Sequence, residues 1–435
     1  MKSSRSGLSL TERGWRLLVS ALGVGALGVF LGDPLLVGVC VALLVPLALG
    51  ARSVVGDLRG VERALRVEPS GFDATITRGE VCSASLHVSS GLGRWRLGSS
   101  LEGLSLGGGV LGAGEHAVGL SFRPVHFGEY RLDRLDVALG DGLGLLEAEG
   151  SVPFSLRVTV YPRTTVAVAE AARFLAGEDV YSLGEEPTRF RGSGFEYADT
   201  REYVRGDSLR RLDWKATAKL GRLMVKEFYA EGGMGVEIIY DARAPDPVSR
   251  DDLTEAFVRT ALSFARRSTV IGIVVLDADG ARMYPAMQPF DAVALAIRTA
   301  LEDNSPVTGY LYDLLDPGTG GRLEGFIEAS SRVQPKTVPS LDAYEGRMID
   351  LDEESRRLVI LISCLQGDPV EVLYLNGALQ ARGWDFEVVQ PCRPWLWVGD
   401  LEESKRVSDR ISRLYRVLER EAVRIETVEV SGETG

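Results

Sequence analysis

Between Leu17 and Ala51 the chain is almost entirely apolar, and the run is broken once, by Asp33-Pro34. A proline inside a helix removes a hydrogen bond and clashes with the preceding turn, so a single long helix is excluded there. Two helices joined by a tight turn fit instead. Each apolar stretch is about 16 residues long and covers roughly 24 Å at ~1.5 Å per residue, slightly short of a bilayer core. The pattern predicts transmembrane helices over about 15–32 and 34–50, within an N-terminal segment 1–60. A cleaved signal peptide would need a shorter, uninterrupted apolar region. Lys2, Arg5, Arg13 and Arg16 precede the pair and Arg52, Arg59, Arg63 and Arg66 follow it, whereas the turn has neither Lys nor Arg. This asymmetry places both ends on the cytoplasmic side, as a multi-pass cell-membrane protein with cytoplasmic globular domains. Trp15 suits an interfacial anchor, and the glycines suit close helix contact in lipid.

The remaining chain is long enough for two further folded units. A net charge of −12 speaks against general nucleic-acid binding, which needs excess Lys and Arg. The four cysteines, Cys40, Cys82, Cys364 and Cys392, show no metal-ligand or redox spacing. Residues 65–163 carry short alternating runs separated by Gly and Pro, the pattern of an all-β, sandwich-like domain. Phe154–Val160 alternates with period 2. Tyr130 and Leu132 share one phase, Leu135, Val137 and Leu139 the other, and the slip near Arg134 predicts a bulge. Gly107–Gly112 matches GxGxxG but lacks the strand before and helix after that a phosphate loop requires, so it reads as a plain loop. His87, His116 and His126 have no ligand spacing and read as ordinary strand and loop histidines.

From Glu185 to Glu231 basic, acidic and aromatic residues interleave densely. Asp207 or Ser208 caps a predicted helix that Gly221 ends. One reading is a solvated face of weak ion pairs. The other is an Arg-rich surface that recognises carboxylates on a partner. The string FEYADTREYVRGDSLRRLDWKATAKLGRLMVKEF resembles the signature of the bacterial and archaeal family called domain of unknown function 58. The positions that carry the resemblance are Phe195, Glu196, Arg201, Tyr203, Gly206, Asp207, Arg210, Arg211, Asp213, Trp214, Lys215, Lys219 and Lys226. LTERGWRLL before the apolar pair, and HFGEYRL and GDGLGLLE in the β-rich part, agree with it. The resemblance implies a von Willebrand factor A-like domain after this motif segment (164–231), and association with a MoxR-type AAA+ ATPase that matures or assembles other proteins.

Residues 232–435 alternate strands and helices, which indicates a doubly wound, mostly parallel sheet, with a loop-rich insertion at about 305–357. The predicted strands are 236–240, 270–276, 282–285, 358–362, 386–390 and an edge at 424–430. Ligands of such sheets bind beyond the strands' carboxyl ends. The resemblance implies a Mg²⁺ site there built on D-x-S-x-S. Here the string is Asp241-Ala242-Arg243-Ala244-Pro245, with Arg243 and Pro245 at the serine positions. An arginine beside Asp241 competes with a cation for the carboxylate, and Cys364 is too soft to be a Mg²⁺ ligand. The sequence therefore predicts a degenerate site without Mg²⁺, and no cofactor. Asp246 or Asp368 could restore ligands.

No nucleophile–base–orienter set is legible. The α/β part has no histidine, which leaves Cys364 without a base nearby in sequence. The expected function is a membrane-anchored, non-catalytic adaptor that docks an ATPase or other proteins. The alternatives are an enzyme with an unrecognised Asp/Glu/Arg site in the motif segment, or a purely structural scaffold.

Overall fold

A computed structural model describes residues 8–177, 191–202, 217, 219, 222, 224–229, 235–303, 305–331, 333–338, 357–367, 369–397, 399–421 and 423–427. The chain divides into two compact units, Met1–Tyr161 and Pro162–Gly435.

In the first unit β1 (Leu8–Leu10) leads into α1 (Glu12–Leu31) and α2 (Pro34–Ala64). The Asp33-Pro34 break works as a stop and a start. Gly32 ends α1 in the left-handed region at φ 69°, where a side chain would be strained. Asp33 then caps α2 by accepting from Leu35 N at 2.9 Å, and Pro34 sits where no N–H is needed. By length and composition both helices suffice to cross a membrane. α2 does not stop near residue 50, as the end of the apolar run predicts. It continues to Ala64 because its last turns change character: Val54 and Val61 are buried in the β core while Arg59, Glu62 and Arg63 stay on or near the surface.

Two sheets share that core. One holds β9 (Leu146–Tyr161), β8 (Gly128–Gly140) and β5 (Arg94–Gly98) in that order, with β1 and β3 (Gly71–Thr77) both on the far edge of β9. The other runs β2 (Leu65–Glu68), β4 (Cys82–Ser90), β7 (Gly114–Phe122), β6 (Leu104–Leu106). Trp95, Phe122, Leu135 and Phe154 fill the space they enclose. The expected bulge is present as a register shift between Leu132 and Arg134. It turns Arg134 outward, where it donates to Ser151 Oγ at 2.8 Å and pairs with Glu62 of α2.

The start of α1 is fastened to the β8–β9 turn. Thr11 N donates to Leu145 O at 3.0 Å, and Thr11 Oγ1 donates to Gly144 O at 2.7 Å. The same hydroxyl accepts from Gly14 N at 3.1 Å and so caps the helix. Gly14 has no alternative there, since a Cβ would lie 2.1 Å from Leu145 O. Asp141 (3% exposed) holds the turn, accepting from Leu143, Leu145 and Leu146 N at 3.1, 2.6 and 2.8 Å. The two segments LTERGWRLL and GDGLGLLE, far apart in sequence, therefore meet in space.

The second unit is built on a seven-stranded sheet, ordered β15-β14-β13-β12-β16-β17-β18. β12 (Gly235–Asp241), β13 (Ile271–Asp277), β16 (Arg357–Ile362), β17 (Asp385–Gln390) and β18 (Arg424–Thr427) run parallel. β14 (Gly280–Met287) and β15 (Lys336–Val338) add an antiparallel edge. One face packs on α3 (Arg163–Leu175), α4 (Pro247–Arg266), α5 (Pro289–Asp303), α6 (Ser305–Leu314) and α7 (Pro317–Ser330). The other packs on α8 (Pro369–Gln380) and α9 (Leu401–Arg420). The doubly wound, mostly parallel arrangement read from the alternating pattern is thus the one observed.

Two stretches differ from the sequence reading. The supposed loop-rich region 305–357 carries α6, α7 and β15, because Val307, Leu311, Leu315 and Leu323 at helical spacing reach the core. α3 lies inside the stretch read as motif segment. Its Ala- and Val-rich sequence leaves only a narrow polar stripe, Arg163, Glu170 and Arg173, because nearly all the rest of the helix is buried. Its first amides, Arg163 N and Thr164 N, each donate at 3.0 Å to the carboxylate of buried Asp251 on α4, a cap supplied from 87 residues away.

Candidate functional site at the carboxyl end of the parallel sheet

Asp241 ends β12 at the centre of the sheet and is 5% exposed. Its Oδ1 accepts from Arg243 Nε at 2.7 Å and from Arg243 N at 3.2 Å. Its Oδ2 accepts from Arg243 Nη2 at 3.2 Å and from Ser363 Oγ at 2.8 Å. Ser363 follows β16, the neighbouring parallel strand, and its hydroxyl also accepts from Leu365 N at 2.9 Å, the residue at φ 55°. Arg243 Nη2 reaches on to Glu371 Oε2 of α8 at 3.6 Å. The floor is apolar, from Leu276, Leu361, Val372 and Leu414. The free space is about 20 Å³, room for roughly one water and no organic ligand.

A carboxylate offers about four lone-pair directions, and the four hydrogen bonds on Asp241 use them. A cation would have to displace Arg243. The arginine is held firmly as a charge: the hydrogen bond it donates to Asp241 raises its pKa, outweighing burial, and Glu371 adds to it. Asp246 is committed elsewhere. It caps α4, accepting from Val248 N and Ser249 N at 2.9 Å and from Ser249 Oγ at 2.6 Å. Asp368 lies outside the described residues. Pro245 stands in the β12–α4 loop, where it offers no side-chain donor or acceptor. Among the described residues no group of three or more His, Cys, Asp and Glu is placed to hold a metal ion.

Cys364 is buried beside this site and shares a hydrogen bond with the thiol of Cys392, at the end of β17. That bond and burial push the Cys364 thiol up, and the nearby Asp241 and Asp246 push it further. A thiol so held is protonated at neutral pH and a poor nucleophile. Tyr415 of α9 is likewise pushed up to about 12 by burial.

Of the motif residues, Phe195, Glu196 and Arg201 lie on β10 (Arg191–Glu202) and Lys226 on β11 (Met224–Tyr229). These strands form an antiparallel hairpin with Thr200 opposite Lys226 and Arg201 opposite Val225, and with register shifts around Tyr197. Lys219 is exposed in a helical turn, and Met224 N donates to Thr217 Oγ1 at 3.0 Å. Tyr203, Gly206, Asp207, Arg210, Arg211, Asp213, Trp214 and Lys215 lie outside the described residues, as does the helix expected from Asp207 or Ser208. Ser363 and Glu371 had no sequence signal. They join the site only because β16 pairs with β12, and a serine immediately after a buried strand has no distinguishing pattern.

Residues 199–329 match the family model "Protein of unknown function DUF58". The match to DUF58 thus covers this stretch of the 435-residue chain. The DUF58 segment contains the hairpin's later part, β12 with Asp241 and Arg243, and the helices and strands as far as α7, whereas Ser363 and Glu371 come from beyond it. A comparison with curated proteins gives no match. Among solved structures, the chain is similar to "Structure of WR4, a C.elegans MSP family member" at 13% identity and TM-score 0.16, covering 22% of this chain and 97% of that one. It is similar to "The BIgI domain of beta protein from S. agalactiae bound to CEACAM1" at 15% identity and TM-score 0.15, covering 22% and 95%. A Bacteroides ovatus GH5 xyloglucanase in complex with a XXXG heptasaccharide matches at 11% identity and TM-score 0.16, covering 84% and 93%. Likeness this slight carries nothing about fold or activity.

Proposed function

We propose that this DUF58-matching chain is a membrane-anchored, non-catalytic adaptor that presents a von Willebrand factor A-like domain to a MoxR-type AAA+ ATPase or its clients. In this reading α1 and α2 form a transmembrane hairpin, the β unit is sandwich-like, and both globular parts face the cytoplasm, a placement supported by the positive charges on both flanks and none in the turn. A doubly wound sheet with antiparallel pairing at the β14–β15 edge and a carboxylate at the end of its central strand supports the domain assignment. The observation that carries the function is the state of Asp241. Where a von Willebrand A domain would bind Mg²⁺ to engage a ligand, the carboxylate is saturated by Arg243 and Ser363. The half-exposed guanidinium, bridging Asp241 and Glu371, offers donors to a partner's carboxylate in the metal's stead.

The test is affinity purification of the full chain in detergent together with a MoxR-type ATPase. A stoichiometric complex is expected, lost in Arg210→Ala or Asp213→Ala variants that keep their circular dichroism. Turnover of any substrate by the purified chain, or binding of the ATPase unaltered by both variants, would overturn the proposal.

A further inference from the structure

The β unit is not simply tethered below the apolar helices. Its contacts fix how deep it sits along them. A Cβ on Gly50, at the end of the second apolar run, would lie 3.1 Å from Asp141 Oδ2 and 3.2 Å from Leu146. Farther along α2, Leu58 and Val61 pack where a Cβ on Gly150 would stand, at 3.1 and 3.6 Å. β9 thus travels alongside α2. Leu146 marks the level where the apolar run ends, and Gly150 lies about 13 Å farther from it, at ~3.3 Å per residue. The β8–β9 turn, Asp141–Gly144, therefore occupies the level at which a bilayer's hydrocarbon gives way to headgroups. That layer is on the order of 6 Å deep on each side.

The side chains at this level are of two kinds. Leu143 at the tip of the turn is 61% exposed and Val110 is 57% exposed. Both are more exposed than the valines shown by the unit's other loops, Val81 at 46% and Val125 at 38%. Between them lies Arg94, the first residue of β5. It pairs with Gly140 at the end of β8, and its Nη1 lies 3.2 Å from where a Cβ on Gly144 would be. Arg96 follows on the same face, and Arg94, Arg96, Val110 and Gly144 line one shallow groove. Arg13, Arg16 and Arg52 are exposed on the helices at the same end. Three carboxylates face this belt: Glu147, on the groove's opposite wall, Glu149, two residues on along β9 in register with Arg96 across Ala138, and Glu12, paired with Arg16 at 3.5 Å. Arginines outnumber them. Trp15, 56% exposed at the start of α1, has the amphipathic character of residues found at the membrane interface.

We propose that this rim is a lipid-contact surface. Leu143 and Val110 enter the headgroup–acyl boundary, and Arg94, with Arg13 and Arg52 beside it, binds the phosphates of anionic phospholipids. The inference rests on the membrane-anchored reading above. Its occupant is the bilayer surface rather than a protein because the rim is continuous with two helices of membrane-crossing length and carries the charge opposite to anionic headgroups. The consequence is that the β unit lies against the membrane with one face, its orientation fixed by lipid as well as by α2.

The test uses the full chain in nanodiscs of phosphatidylcholine alone or of an equal mixture with phosphatidylglycerol. Benzoylphenylalanine replaces Leu143, or Val110 as an independent second position, and Val125 serves as an exposed control in the loop before β8, at the strand's other end. Photo-crosslinked phospholipid is read by mass spectrometry. Lipid adducts are expected at 143 and 110 and not at 125. They should be several-fold more abundant with phosphatidylglycerol, and each of Arg94→Gln and Arg52→Gln should reduce that gain by about fivefold, the value of one basic side chain at an anionic surface. Equal adducts at 125, or yields indifferent to phosphatidylglycerol, would overturn the proposal. Flotation with liposomes after an alkaline wash separates the two readings. A chain that floats but gives no adduct removes the rim alone, and a chain that does not float removes the anchor as well.

Discussion

Two buried aspartates, one in each unit, are held in opposite ways. Asp141 accepts from three backbone amides of its own turn. Asp241 accepts mainly from side chains, Arg243 from its own loop and Ser363 from the next strand's. Backbone amides cannot leave without the turn unfolding, so Asp141 is a fixed part of the architecture. An arginine that is 38% exposed can swing away while the sheet stays intact, so Asp241 can exchange partners. The first arrangement fits a fastening point for a helix and the second a surface that another protein can compete for.

Asp141→Ala should have the largest effect. It strands three amides in a turn that is mostly out of water and loosens the seat of α1, costing about 3 kcal/mol or more. Denaturant unfolding of the full chain in detergent measures this, and a loss under about 1 kcal/mol would erase the contrast. Gly14→Val comes next, at about 2–3 kcal/mol, because a Cβ must push back Leu145 O. The same unfolding curves should show a larger loss than for Gly23→Val, where nothing lies within 4 Å. Asp241→Ala should cost only about 1 kcal/mol, since Arg243, partly exposed, keeps Glu371 and solvent once the carboxylate is gone. A loss matching that of Asp141→Ala would mean that Asp241 is architectural too. Arg243→Ser should change stability least. It frees the carboxylate, and calorimetry should then detect weak Mg²⁺ uptake that the unaltered chain lacks. Strong uptake by the unaltered chain would refute the exclusion by Arg243.

Much of the scaffold was legible because single residues or short periods dictate it. Asp33-Pro34 announces a stop and start through proline geometry. β12, β13 and β16 announce buried parallel strands through runs dominated by Val, Ile and Leu. Arg243 was legible as a partner of Asp241 because the two are neighbours in one loop. What was not legible is long-range. Ser363 meets Asp241 across 122 residues, and Asp251 caps a helix 87 residues before it. Thr11 and Gly14 close on Leu145 through a backbone carbonyl, for which no side-chain pattern exists. α3 escaped because only a narrow stripe, Arg163, Glu170 and Arg173, is polar on a helix otherwise nearly all buried, and α7 because its glycines mask the leucine that reaches the core.

The continuity of α2 has a mechanical consequence. Past Gly50 the helix runs on through Ala64, roughly 21 Å at ~1.5 Å per residue, one continuous helix although Pro46 lies inside it just before the apolar run ends. It is therefore a crank. Inclining its apolar half by ~10° sweeps the other end through ~4 Å over that length, and the strands clamped to it must follow. Bilayer thickness, which sets how far such helices lean, is thereby converted into displacement of a folded body.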